Sequence, residues 1–88
     1  MAQPILKIHS TSLFERSFHK LPERIQDLTE KKEKLFRKDA FDPRLHTHKL
    51  KGELEGYWSY YINFQYRIMF RFLGIEEVVY YDIGTHDI

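Results

Sequence analysis

The 88-residue chain contains no cysteine, so disulfide staples, thiolate nucleophiles and cysteine-based zinc sites are all excluded. No apolar run approaches the roughly 18 residues that a membrane helix needs, and residues 1–8 lack the apolar stretch of a secretory leader. A cytoplasmic protein with no membrane partner is expected. There is little excess of either charge: 14 Lys and Arg face 13 Asp and Glu, a formal net of +1. That balance argues against a uniformly basic nucleic-acid coat and against an acidic solvating protein, and it makes any electrostatic site local. Several catalytic signatures are also missing. The sequence has no glycine-rich phosphate loop, HExxH helix, nucleophile elbow or recognisable Ser-His-Asp arrangement.

Aromatic residues are plentiful. Seven Phe, six Tyr and one Trp supply enough apolar surface to offset chain entropy, so the chain is expected to fold as one small domain, residues 1–88. Ile5, Leu6 and Ile8 predict a strand over 4–9, bounded by Pro4 and by Ser10, Thr11 and Ser12. Ser12 with Glu15 fits a capping box and predicts a helix whose apolar face is Leu13, Phe14, Phe18 and Leu21. Pro22 lacks an N–H but suits a first helical turn, so it should close that helix and open a second, running to about Lys38. Ile25, Leu28, Leu35 and Phe36 form its stripe, and its acidic start and basic end complement the helix dipole. Asp42 and Pro43 break the pattern, and 44–56 reads as a connecting loop. Tyr, Phe, Ile and Val then predict strands over 57–62, 66–73 and 77–83, joined by tight turns at 63–65 and Gly74. The expected class is α+β: a strand, two helices and a three-stranded antiparallel meander, with the helices on one face of the sheet.

Charge along the chain is uneven. The stretch RLHTHKLK, residues 44–51, carries +3, whereas 52–88 carries −4. Its Arg44, His46, His48, Lys49 and Lys51 suit a phosphate ligand, and the two imidazoles suit proton exchange; the alternative is a solvated loop. In the strand over 66–73, Arg67, Met69 and Arg71 alternate with Tyr66, Ile68, Phe70 and Phe72, which puts both arginines on the face away from the helices. There they either clamp a phosphate or pair with Glu77 or Asp82. His86 follows the last strand, where a general acid or base can be presented. Trp58, Tyr60 and Tyr61 either offer faces for base stacking or belong to the core. His46 and His48 alone are weak metal ligands without a clear third partner, so no metal and no cofactor are expected.

The order of these elements, with Phe18-His19-Lys20-Leu21-Pro22-Glu23-Arg24-Ile25, His48-Lys49-Leu50-Lys51-Gly52, Tyr57-Trp58-Ser59, Tyr66-Arg67-Ile68-Met69-Phe70 and Gly84-Thr85-His86-Asp87, resembles the RelE/ParE superfamily of bacterial toxin-antitoxin toxins. The resemblance runs nearly end to end. It implies a toxin of a type II pair, an mRNA interferase acting on the ribosome without a metal, and a cognate antitoxin as partner. Arg67 matches the arginine implicated in holding the scissile phosphate, His86 the C-terminal histidine of the YoeB and YafQ branches, and His48 a loop histidine of YafQ-like toxins. Arg67, His48 and His86 are thus the catalytic candidates, with acid and base unassigned; Lys49, Lys51, Arg44, His46 and Arg71 are the RNA-phosphate candidates. Trp58 and Tyr60 stand where RelE proper has lysines. A ParE-like DNA gyrase inhibitor and a catalytically silent antitoxin-binding homologue remain as alternatives.

Overall fold

Hydroxyl and proline residues set the element boundaries. In the structure, a computed structural model that describes residues 2–85, strand β1 (Lys7–Ser10) leads into helices α1 (Ser12–His19) and α2 (Glu23–Lys38). A one-turn 3-10 helix (Pro43–Leu45), a two-residue strand β2 (His48–Lys49) and a second 3-10 turn (Gly52–Leu54) follow. Strands β3 (Trp58–Tyr61), β4 (Tyr66–Phe72) and β5 (Glu77–Thr85) complete the fold. The sheet order is β1-β5-β4-β3-β2, with β1 parallel to β5 and every other pair antiparallel. The α+β class, the two helices and the three-stranded meander agree with the sequence reading.

Three local readings differ from the structure. Residues 3–5 do not join the sheet: Ile5 N–H donates to the Arg37 carbonyl and Ala40 N–H to that of Gln3, so this arm seals the end of α2 and the strand starts later. Thr11, not Ser12, caps α1. Its hydroxyl oxygen accepts from Phe14 N–H at 3.0 Å, while Glu15 is drawn to the Ser10 hydroxyl instead of closing a capping box. Within the stretch read as a loop, His48 and Lys49 pair with Ser59 and Trp58 and add a fifth strand at the sheet edge.

Between the helices, the Gln26 side-chain amide donates to the carbonyls of Phe18 and Leu21 and so ties the first turn of α2 to the end of α1. The core lies between α2 and one face of the sheet. Phe36 is fully buried; its ring stacks on Tyr60 at 4.5 Å and meets Phe70 edge-on at 5.0 Å. Burying Tyr60 and Tyr80 strands two hydroxyls, and they bond each other at 2.9 Å. Strand alternation then assigns Ser59, Tyr61, Arg67, Met69 and Arg71 to the opposite, outer face. One register shift, between Met69 and Phe70, places an extra β5 residue, Tyr81, in a bulge.

Thr11 also donates its hydroxyl proton to the Tyr81 carbonyl at 2.6 Å, so it fastens α1 to β5. Thr11→Ala is expected to lower stability by about 1 kcal/mol or more, the usual worth of an N-cap. Ser12→Ala, at an exposed position, is expected to change it by less than about 0.5 kcal/mol. Urea denaturation of both variants checks the assignment of the cap.

Candidate nucleic-acid interface

Arg67 lies opposite Tyr61 in β3 and Gly84 in β5. Its guanidinium carbon stands 4.3 Å from the centre of the Tyr61 ring, a cation-π contact. Its Nε is shielded from solvent and has no hydrogen-bond partner among the described residues. An unmet buried donor costs about 1–3 kcal/mol, which an incoming anion offsets. The carboxylates that the sequence offers as partners are occupied elsewhere: Glu77 contacts the His9 imidazole at 2.5 Å, and an Asp82 oxygen accepts from Ile83 N–H at 2.8 Å. Among the described residues neither Arg67 nor Arg71 enters an ion pair. Arg71 instead sits over Tyr57 at 5.4 Å, and the Tyr57 ring meets that of Tyr81 at 5.2 Å.

Strand β2 brings the loop histidines to the same ring. The Tyr61 centroid is 5.0 Å from that of His46 and 6.2 Å from that of His48. His46 ends the Pro43–Leu45 turn with φ 52°, the one positive φ at a non-glycine among the described residues. That left-handed backbone is a local strain of the kind that packing must enforce. The carbonyl of His46 lies 2.9 Å from His48 Nδ1. A carbonyl only accepts, so Nδ1 carries a proton and the lone pair of the neutral ring is on Nε2.

The remaining basic residues divide. Lys49 pairs in register with Trp58, so it turns to the helix-side face, where its ammonium is 5.5 Å from the Trp58 ring. Lys51 joins Lys49, Tyr57 and Trp58 around a cleft of about 680 Å³ at the sheet edge. Arg44 holds Asp42 through Nε at 3.0 Å and Nη2 at 2.7 Å, and its backbone N–H donates to the same carboxylate at 2.9 Å. Those hydrogen bonds, the side-chain ones first, bring the Asp42 carboxyl down to about 2. Tyr60 offers no face to a ligand: it is buried, and desolvation drives its hydroxyl far above the ordinary phenol range. Trp58 lies edge-on to Phe41 and Phe72 on the helix side. His86 falls outside the described residues. Among those residues no group of three His, Asp or Glu side chains is placed to hold a metal ion, and no helix is long and apolar enough to cross a membrane.

Compared by sequence, the chain matches no family model and no curated protein. Compared by structure it matches several toxins. The YoeB/ParE toxin from Agrobacterium tumefaciens superposes with a TM-score of 0.75 at 18% identity, over 92% of this chain and 99% of that one. The toxin-antitoxin complex RelBE2 from Mycobacterium tuberculosis gives 0.70 at 24% identity, over 97% and 93%. The E. coli DinJ-YafQ complex gives 0.72 at 15% identity, over 97% and 94%. The chain has the fold of RelE/ParE toxins.

On this RelE/ParE fold, the structure gathers Arg67, His46 and His48 around Tyr61, gives Arg71 a separate tyrosine cluster, and leaves Lys49 and Lys51 at the edge. Tyr61 itself, Tyr57 and Tyr81 are the residues whose positioning role the sequence reading missed. The signal for the first two was present: Tyr57, Ser59 and Tyr61 alternate with Trp58, Tyr60 and Ile62. Tyr81 reaches Tyr57 beside a bulge that no periodicity announces.

The Arg44–Asp42 pair has a measurable signature. Followed by carboxyl NMR shifts, Asp42 should titrate near pH 2, and Arg44→Gln should return it toward 3.8. The folded value lies below the unfolded one, so the pair's stabilisation is present above the unfolded value and disappears as pH falls through 2. Solvent exposure of Arg44 keeps the effect on global stability small.

Proposed function

We propose that this chain is the toxin of a type II toxin-antitoxin pair and that it cleaves mRNA on the ribosome, in the cytoplasm. Arg67 carries the reading: a guanidinium with no ion pair among the described residues and a shielded donor unmet by them, lying against a ring that also touches two histidines. A phosphodiester supplies the oxygens that such a donor lacks. In the proposed reaction the RNA 2′-oxygen attacks the adjacent phosphorus and forms the O2′–P bond as the P–O5′ bond breaks. The 2′-OH proton passes to His48 Nε2, the atom whose lone pair the His46 carbonyl leaves exposed. Arg67 stabilises the charge on the phosphorane, and His86 gives a proton to the leaving 5′-oxygen. The products are a 2′,3′-cyclic phosphate and a 5′-hydroxyl, and no metal takes part.

Arg71 with Tyr57 and Tyr81 then holds a flanking nucleotide, and Lys49 and Lys51 draw the backbone past the edge without reading sequence. Two of the solved neighbours are toxin-antitoxin complexes, and we extend that partnership to this chain: a small cognate antitoxin binds and silences it. The anchored tautomer of His48 favours a nuclease over a gyrase-binding protein, which needs neither acid nor base.

Induction of the chain without its antitoxin, with mapping of mRNA 5′ ends, tests the proposal: ribosome-dependent cuts are expected, with gyrase supercoiling unchanged. Growth arrest without such cuts would sink the nuclease reading, and no arrest at all would point to a silent homologue. Arg67→Ala should lower single-turnover cleavage on programmed ribosomes by roughly 100- to 1000-fold while the protein stays folded. Arg67→Lys should recover little, because an ammonium lacks the planar donor fork. His48→Ala should remove most of the rate, because it deletes the atom proposed to take the 2′-OH proton.

A further inference from the structure

A cleft that the proposed reaction does not use borders the Tyr61 cluster. It measures about 300 Å³ and opens where α2, the Pro43–Leu45 turn and the β3–β4 connection meet. Lys32, Arg44 and His46 line it, together with Tyr61, Asn63 and Phe64, over an apolar floor that includes Leu28 and Ile62; among the described residues no carboxylate lines it. Asp42 stands behind Arg44 and feels the charge of Lys32, which leaves two fixed cations against one anion and an imidazole besides. Phe64 is 88% exposed, the most exposed of the large hydrophobic side chains. Asn63 Oδ1 is taken by the backbone N–H groups of Gln65 and Tyr66, both at 2.8 Å, so its amide N–H donors are the part left to serve a ligand.

Cations, flat rings, an apolar floor and a carboxamide donor together match a nucleotide better than they match a bare anion or an aliphatic ligand. The volume sits at the low end for ligand pockets and admits a single base. Tyr61 belongs to the cleft and also carries Arg67, so a strand leaving the arginine crosses that ring to reach it. We propose that the cleft takes one nucleobase of the RNA beside the cleaved phosphate, the base lying between Phe64 and the His46–Tyr61 pair and its phosphate on Lys32. This assignment rests on the endoribonuclease reading for the identity of the polymer, but not for the binding itself.

The test is an NMR titration of the full chain, without ribosomes, using GMP, UMP and inorganic phosphate separately. Each nucleotide should shift the Tyr61, Asn63 and Phe64 amides saturably and bind more tightly than phosphate. Phe64→Ala removes an exposed side chain, so the fold is retained, and it should weaken nucleotide binding roughly tenfold, the worth of one base-aromatic stack, while phosphate binding is unchanged. Equal binding of phosphate and nucleotides would mean an anion site only, and shifts confined to other surfaces would mean no site; either result overturns the proposal. So would a Phe64→Ala protein that loses affinity for its antitoxin but not for nucleotides, since the cleft would then belong to a protein partner. Because no cleavage is read, the two proposals fail separately. Nucleotide binding by a chain that never cuts RNA keeps the cleft and removes the nuclease, whereas a cutting chain whose nucleotide affinity ignores Phe64 keeps the nuclease and removes the cleft.

Discussion

The stack of Phe36 on Tyr60 commits the whole molecule to one arrangement. It fixes which face of the sheet meets α2, with Phe70 and Tyr80 closing around the same ring. Truncating a buried Phe costs about 3–5 kcal/mol, against a total stability of about 5–15 kcal/mol for a domain. The other positions of β3 and β4 follow from that commitment, because a period of two leaves them no freedom once Tyr60 is inside. Tyr61 and Arg67 are outside for the same reason that Tyr60 and Ile68 are inside.

The parts of the fold that were legible in the sequence are those with a repeating signal. The stripe Ile25, Leu28, Leu35 and Phe36 announces α2, and alternation in 66–72 puts Arg67 and Arg71 on the outer face. A two-residue strand has no period to read, so β2 was hidden, and with it the fact that His48 and Lys49 turn to opposite faces. The choice between Thr11 and Ser12 as the cap depends on where the chain leaves the sheet, and Tyr81, seventy residues away, takes part in that choice. Arg44 and Asp42 are only two residues apart, yet composition alone counted the arginine as free for phosphate. Local pairing answers a question that charge totals pass over.

Net charge conceals the electrostatic plan in another way. The loop cation nearest a carboxylate is neutralised, while among the described residues the two strand arginines lie against tyrosines and enter no ion pair. A tyrosine face orients a guanidinium without cancelling its charge, so the outer face presents oriented positive charge on a protein whose formal net is only +1. Arg67 and Arg71 stand four residues apart on β4, so sheet geometry and not side-chain flexibility spaces the two charges.

Strand β2 is joined to the sheet through two residue pairs and one further bond from Leu50 N–H to the Tyr57 carbonyl, whereas β4 and β5 are matched along seven positions. Backbone protection against hydrogen exchange follows such differences, so the segment with His48 belongs to a low-energy opening unit and the strand with Arg67 to the global one. The two halves of the Tyr61 cluster are therefore assembled by different cooperative events. The imidazole half can be withdrawn and restored while the guanidinium half stays in place, and the lifetime of the complete cluster is set by the edge of the sheet and not by its core.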